Sequence, residues 1–418
     1  MIVLYDNREF DIGLLGNGLA EKVVGRSLSE LENEGVIVSP SGVDKTTTTI
    51  FSTTNGRTTT GNIVGFLSDG MHNVVIKSRF SEKSADDYFL TYMLEKVLNY
   101  NIITTFQGSG ENNLYYNLLA LLFPHYLNIA LKKGPYKEYV IKKYNKADFR
   151  GRIDIPRQLK QNIPFSGRIA YQTSEFSYDN DLMQLVRHAL EKIIGRSSYL
   201  LNSTNETRKN ITLVRQVTPS YSKDQTMLVL RKNIRNAIRH NYFGEYGPLQ
   251  KLCIQILKEG GLDDNNKVIH GIVVDIAWLW EEYIATITKW RHYGRRKNLE
   301  MLHLFEDSRN FHRYPDFIVK NIPIDTKYKF NLDTVNDYNQ LITYLHIMNE
   351  EQDDTRRAVF LQPAINGEKI WERLGKLNGL GGELFTYKFY IPQEVHSYAE
   401  FVERIKIVEQ QLRDHFND

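Results

Sequence analysis

The sequence predicts two architectures in one chain. An α+β N-terminal region, made of a β-rich module (residues 1–110) and a mainly helical, basic part (111–265), precedes a C-terminal α/β domain (266–418). Three observations carry this. β-Branched residues broken by turn pairs fill residues 36–80, apolar residues then recur at helical spacing, and beyond residue 266 short strands alternate with helices. With 418 residues and 41% hydrophobic content, the chain is long enough for two or three domains with buried cores.

In the first module Thr46–Phe51, Gly61–Leu67 and Val74–Phe80 read as strands, with turns at Asn55-Gly56 and Asp69-Gly70. Helical spacing begins with Tyr88, Tyr92, Leu94 and Val97. It continues through Leu114–Ala130 and again at Leu182, Leu185, Val186 and Leu190. The run Gly260–Asn266 clusters turn formers between two periodic stretches and marks a junction. Past it come a helix over Ala277–Trp290, strands over Asp316–Lys320 and Ile322–Tyr328, a helix over Asp333–Met348 and a strand over Ala358–Leu361. A terminal helix opens with Ser397 and Glu400 at capping-box spacing and repeats Phe401, Ile405, Val408 and Leu412 along one face.

The formal charge of +3 hides opposed regions. Ala130–Arg168 holds eleven Lys/Arg against Glu138, Asp148 and Asp154, and Arg208–Arg239 holds eight against Asp224 alone. The two runs suit an anionic partner or simply solvated faces. A single cysteine, Cys253, excludes disulfides within the chain and cysteine-based zinc sites. No signal-peptide core and no 18-residue uncharged apolar stretch is present, so a cytoplasmic location with no membrane association is expected.

The stretch richest in chemistry is Tyr314-Pro315-Asp316 followed by Ile324-Asp325-Thr326-Lys327. Side chains alternate along a strand, so Asp325 and Lys327 share a face, and Asp316 can reach them across a turn at Lys320-Asn321. Converging carboxylates repel unless a divalent cation lies between them; all-oxygen donors suit Mg2+, with Mn2+ as a substitute. An ammonium beside them can stabilise charge on a pentacovalent phosphate, or position and help deprotonate a water. A surface salt bridge is the plainer alternative. Gln340 and Tyr344 lie one helical turn apart on the next helix, and Glu281 flanks the stripe of Trp280, Ile284 and Ile287, where a carboxylate needs a partner such as a metal. The plainer readings are a core tyrosine with a solvated glutamine, and a surface glutamate on an amphipathic helix.

Together, Glu281, Pro315-Asp316, Asp325-Thr326-Lys327 and Gln340–Tyr344 resemble the PD-(D/E)xK nuclease superfamily, in its RecB-like branch. Ile76–Phe80, Tyr88–Leu94, Phe149–Asp154 and Glu175–Asn180 resemble, in order, the McrC nuclease subunits of McrBC-type restriction systems and the related LlaJI-like subunits. That resemblance spans residues from about 60 to about 350. It implies a C-terminal PD-(D/E)xK nuclease domain and an N-terminal part that inserts into and stimulates a hexameric McrB-like AAA+ GTPase. By the same token Asp316, Asp325, Glu281 and the Thr326 carbonyl would hold Mg2+, Lys327 would serve the transition state, and Gln340 and Tyr344 would orient the site. Arg152, Asp154 and Arg157 are candidates for the tip that meets the partner. The Thr-rich segment before residue 60 has no counterpart in the resemblance.

Gly56–Gly61 has the glycine spacing of a phosphate-binding loop, but Asn62 and Ile63 follow where lysine and a hydroxyl are required, so the chain is expected to bind no nucleotide itself. Neither HExxH nor GxSxG occurs. Arg291, Arg295, Arg296 and Lys297, interleaved with Trp290 and Tyr293, suit the phosphates of double-stranded DNA. The expected function is therefore a DNA endonuclease subunit of a restriction system. A stand-alone RecB-like exonuclease and a non-catalytic activator of an NTPase are the alternatives.

Overall fold

The computed structural model describes residues 2–34, 36–39, 45–69, 71–81, 87–98, 114–197, 201, 204–238, 240–258, 270–293, 301–308, 311–348, 356–367, 369–379 and 381–417. The chain forms two compact units, the first from residues 1–107 and 267–418 and the second from 108–266. This differs from the three successive domains expected. The cause is the strand His270–Asp275, which pairs with Ile63–Ser68 on one side and Ile37–Val38 on the other, inside the N-terminal sheet. The junction expected at Gly260–Asn266 lies outside the described residues.

The N-terminal sheet of the first unit runs in the order Ile2–Tyr5, Asn73–Lys77, Ile63–Ser68, His270–Asp275, Ile37–Val38. Leu4, Ile63, Leu67, Val74, Ile76 and Val273 form one core with Leu19 and Val23 of the helix Gly16–Val23 and Leu31 of Leu28–Asn33. Gly65 permits the close approach of His270–Asp275: at φ +144° a Cβ there would lie 2.1 Å from the Ile272 carbonyl oxygen. The Thr-rich segment is a hairpin, not the strand expected over Thr46–Phe51. Its strands are Phe51–Thr54 and Arg57–Thr60, turning where Asn55 (φ 51°) and Gly56 (φ 76°) supply two left-handed residues. Cross-strand hydroxyl contacts, Thr53 to Thr58 at 3.0 Å and Ser52 to Thr59 at 3.2 Å, occupy the threonines. A buried ion pair closes the sheet: Arg79 Nε donates to Asp6 Oδ2 at 2.7 Å, its Nη2 to the same oxygen, and its backbone N–H to Asp6 Oδ1 at 2.5 Å.

The second sheet of this unit has the order Phe317–Val319, Ile322–Thr326, Arg357–Ala364, Glu383–Tyr390, Trp371–Lys376. Its first two strands form a hairpin through Lys320 (φ 47°) and Asn321 (φ 65°), the turn the sequence suggests. The strands Ile322–Thr326, Arg357–Ala364 and Glu383–Tyr390 are mutually parallel, and the helix Asn336–Ile347 connects the first two. Leu341, Tyr344 and Leu345 of that helix pack on Ala358, Phe360 and Leu384. Alternation along the strand turns Phe389 to the other face, against Trp280, Tyr283 and Phe89. These come from the helices Ile276–Thr288 and Tyr88–Leu98; Phe401, from the terminal helix Tyr398–Asn417, joins Phe89 and Tyr92. The result is an α/β layer with helices on both faces.

The second unit, expected to be mainly helical, also contains a sheet of Glu138–Lys146, Ile169–Ser177 and Arg152–Ile153, in which Ile169–Ser177 is central. Its alternation escapes a hydrophobic pattern because both faces of Glu138–Lys146 carry a lysine and a tyrosine that solvent reaches, Tyr139 being largely exposed. The helices Leu114–Leu131 and Asp181–Ser197 both pack on Tyr246–Lys258, while the short helix Ile155–Gln161 lies on the sheet. The basic run after Arg208 falls on Asn205–Val217 and Thr226–Arg235.

Candidate active site

The strand Ile322–Thr326 sets the site. Asp325 pairs in register with Phe360, so its side chain faces the helix Asn336–Ile347 and is almost fully buried, at 1% exposure. Two residues on, Lys327 continues the ladder, its N–H donating to the Leu361 carbonyl. Its Nζ lies 2.8 Å from Asp325 Oδ2 and donates to Gln340 Oε1 at 2.9 Å. Gln340 Nε2 donates to Tyr344 Oη at 2.7 Å, and Tyr344 Oη donates to the Tyr314 carbonyl at 3.0 Å. A continuous chain of hydrogen bonds thus runs from Lys327 back to the segment that carries Asp316.

Asp316 is fixed from the neighbouring strand. The Thr326 backbone N–H and its hydroxyl both donate to Asp316 Oδ2 at 2.7 Å, so Oδ1 takes neither bond. Thr326 thus anchors Asp316 through its amide and its side chain. Glu281 arrives from the helix Ile276–Thr288, whose N-cap Asp275 accepts from the Trp278 N–H at 2.9 Å.

The electrostatics follow from burial first and from neighbouring charges second. Burial, then the charge of Asp316, pushes the Asp325 carboxyl up to about 7, against a partial offset from Lys327. Protein packed about the Glu281 carboxylate, then Asp316, Asp275 and Asp325, raises its pKa well above the ordinary range. For Lys327 burial alone would favour the neutral amine. Asp325, Asp316 and Asp337 outweigh it and raise the pKa, so the group stays an ammonium at neutral pH.

Two neighbours were not legible in the motif spacing. His292 forms an isolated antiparallel bridge with Phe317, and the Tyr293 N–H donates to the Asp316 carbonyl at 3.1 Å, which sets the imidazole beside Asp316. His292 Nε2 lies 3.5 Å from Glu281 Oε2, and one ligand-type atom each of Glu281, His292 and Asp316 falls within 4.8 Å of the others. Asp337, buried at the start of the helix Asn336–Ile347, accepts from Lys329 Nζ at 2.8 and 2.9 Å and stands 3.8 Å from Lys327 Nζ. The signal for it was present, since an acid in the first turn of a helix is favoured there.

The sequence matches the model of the McrBC 5-methylcytosine restriction system component family over residues 58–360, most of the chain and all of the site just described. The chain belongs to that family. Two solved assemblies resemble this McrBC-family chain. One is a half-complex of Thermococcus gammatolerans McrB AAA+ hexamers with bound McrC, at 14% identity and a TM-score of 0.47, covering 97% of this chain and 99% of that one. The other is the Thermococcus gammatolerans McrBC complex, at 16% identity and a TM-score of 0.30, covering 70% and 89%. Comparison with curated proteins returned no match.

The remaining candidates scatter. Arg291 is exposed with its guanidinium 5.4 Å from the Tyr293 ring, whereas Arg295, Arg296 and Lys297 lie outside the described residues. In the second unit Arg152 is exposed. Asp154 caps the helix Ile155–Gln161 by accepting from the Arg157 N–H at 3.3 Å, and Arg157 reaches the Tyr144 carbonyl at 3.5 Å. These contacts tie Asp154 and Arg157 to their own fold. Among the described residues no helix is long and apolar enough to cross a membrane.

Proposed function

We propose that this chain is the Mg2+-dependent DNA endonuclease subunit of a McrBC-type restriction system, cutting double-stranded DNA in concert with a separate McrB-like AAA+ GTPase. The observation that carries the reading is one site in which Lys327 Nζ lies 2.8 Å from Asp325 Oδ2 while Glu281 and Asp316 offer ligand atoms within 4.8 Å of each other. The donor set fits a hard divalent cation: Glu281 and Asp316 offer ligand atoms within 4.8 Å of each other, and the Asp325 carboxyl is raised by burial and then by the charge of Asp316, which one ammonium does not offset. Asp316, Asp325 and Glu281 would hold Mg2+, or Mn2+ in its place. Such an ion supplies Lewis acidity at a phosphodiester oxygen and lowers the pKa of a bound water.

The chain's own residues do the rest. Lys327, kept protonated by Asp325, offers charge to the phosphorane oxygens rather than acting as a base. Gln340, itself held by Tyr344, fixes the direction of that ammonium. Thr326 aims the Asp316 carboxylate with two donors. Since the sequence has no complete phosphate-binding loop of its own, nucleotide hydrolysis belongs to the partner. A cytoplasmic location accords with this role.

The test is plasmid cleavage with Mg2+, GTP and the partner GTPase. Asp325→Ala and Lys327→Ala should each lower cutting by at least about a thousandfold while leaving partner binding in place. Undiminished cutting by the purified double-alanine protein overturns the assignment.

A further inference from the structure

We infer that His292 is a further ligand of this metal centre, which would then be built from carboxylates and one imidazole nitrogen instead of oxygen alone. The inference rests on the metal-dependent reading above and deepens it. Its first support is distance. Ligand atoms held about 2.1 Å from one ion lie about 3–4 Å apart, and His292 Nε2 sits 3.5 Å from Glu281 Oε2, in a set with Asp316 that spans no more than 4.8 Å.

Its second support is how the imidazole is placed. The backbone bridge between His292 and Phe317 and the bond from the Tyr293 N–H to the Asp316 carbonyl hold this segment against the hairpin that carries Asp316. The ring itself stands edge-on to Phe317, with centroids 5.2 Å apart and planes at 90°, and its side chain is 8% exposed. None of these restraints involves a carboxylate, so the ring's position beside Glu281 and Asp316 comes from the scaffold and not from an ion pair alone. A nitrogen donor softens the site and moves its preference from Mg2+ toward Mn2+ and later divalent ions.

Pulsed EPR of the full-length protein loaded with Mn2+ tests this directly, because a coordinated imidazole couples its nitrogen to the metal's electron spin. The wild type should show nitrogen coupling that changes with isotopically labelled histidine, persists in His312→Ala and disappears in His292→Ala. Calorimetry should show Mn2+ affinity falling by at least about tenfold in His292→Ala, with a smaller loss for Mg2+. His292→Phe, which keeps an aromatic ring against Phe317, guards against a folding defect, and the labelled wild-type spectrum needs no variant. Bound Mn2+ without nitrogen coupling, or coupling that survives His292→Ala, overturns the inference and leaves the carboxylate centre standing. A wild-type protein that binds no Mn2+ overturns the centre itself.

Discussion

Thr326→Val isolates one interaction of the site. Valine keeps the β-branched shape that suits the strand Ile322–Thr326 and the backbone N–H that donates to Asp316, and removes only the hydroxyl that donates to Asp316 Oδ2 at 2.7 Å. A hydrogen bond to a charged group contributes about 1.5–3 kcal/mol. Thr326 is 5% exposed, so little solvent replaces the lost donor. If Asp316 must be aimed to bind metal, that energy reappears as weaker binding, on the order of 10–100-fold, the range seen when groups behind a ligand are removed. Calorimetric titration with Mg2+ or Mn2+ reads the affinity, and urea unfolding without metal reads the fold. Thr326→Ser, which retains the hydroxyl, should restore most of the binding. A Thr326→Val protein that folds and binds metal as tightly as the wild type refutes the role given to this residue.

Arg79→Ala should destabilise the chain by about 3–5 kcal/mol in urea unfolding, because Asp6 is left buried without its partner, whereas replacing both Asp6 and Arg79 by apolar residues should cost far less. Gly65→Ala should lower the melting temperature sharply and expose the N-terminal sheet to proteolysis, since its Cβ meets the Ile272 carbonyl at 2.1 Å. Burial raises the Asp87 carboxyl to about 6 from an ordinary 3.8 despite bonds from the Ser78 and Leu90 N–H groups. The folded chain therefore holds this proton more tightly than the unfolded one, and stability present below pH 4 is lost as pH rises through 6, by at most about 3 kcal/mol. Asp87→Asn should remove that slope; an unchanged stability profile across pH 4–7 would count against the buried charge.

What the sequence could reveal depended on how locally each feature is encoded. Asp325 and Lys327 share a strand, and Gln340 and Tyr344 share a helix face, so spacing alone placed each pair, and the turn at Lys320-Asn321 brought Asp316 near. His292 is brought in by a backbone bridge to Phe317, which leaves no trace in spacing. The strand His270–Asp275 belongs to a sheet whose other members all end by Lys77, a pairing no window detects. The alternation of Trp371–Lys376 is broken by the bulge between Arg373 and Gly375, and Glu383–Tyr390 shows none because it is an interior strand buried on both faces. In the helix Tyr88–Leu98 the buried residues include Phe89 and Met93, where Tyr88 and Val97 were expected, and Phe89 stands edge-on to Tyr283.

The placement of His270–Asp275 also bears on how the protein is made. Residues 1–107 leave the ribosome lacking the strand that belongs between Ile63–Ser68 and Ile37–Val38, and it follows only after the whole second unit. At about 5–20 residues per second, the roughly 160 intervening residues take on the order of 10–30 s. Throughout that interval one long edge of Ile63–Ser68 has its N–H and C=O groups open to other chains. Domain completion is thus ordered by synthesis, the inserted unit before the one that encloses it. An N-terminal fragment ending near residue 107 keeps that edge permanently and should aggregate, whereas the full chain covers it with its own later strand.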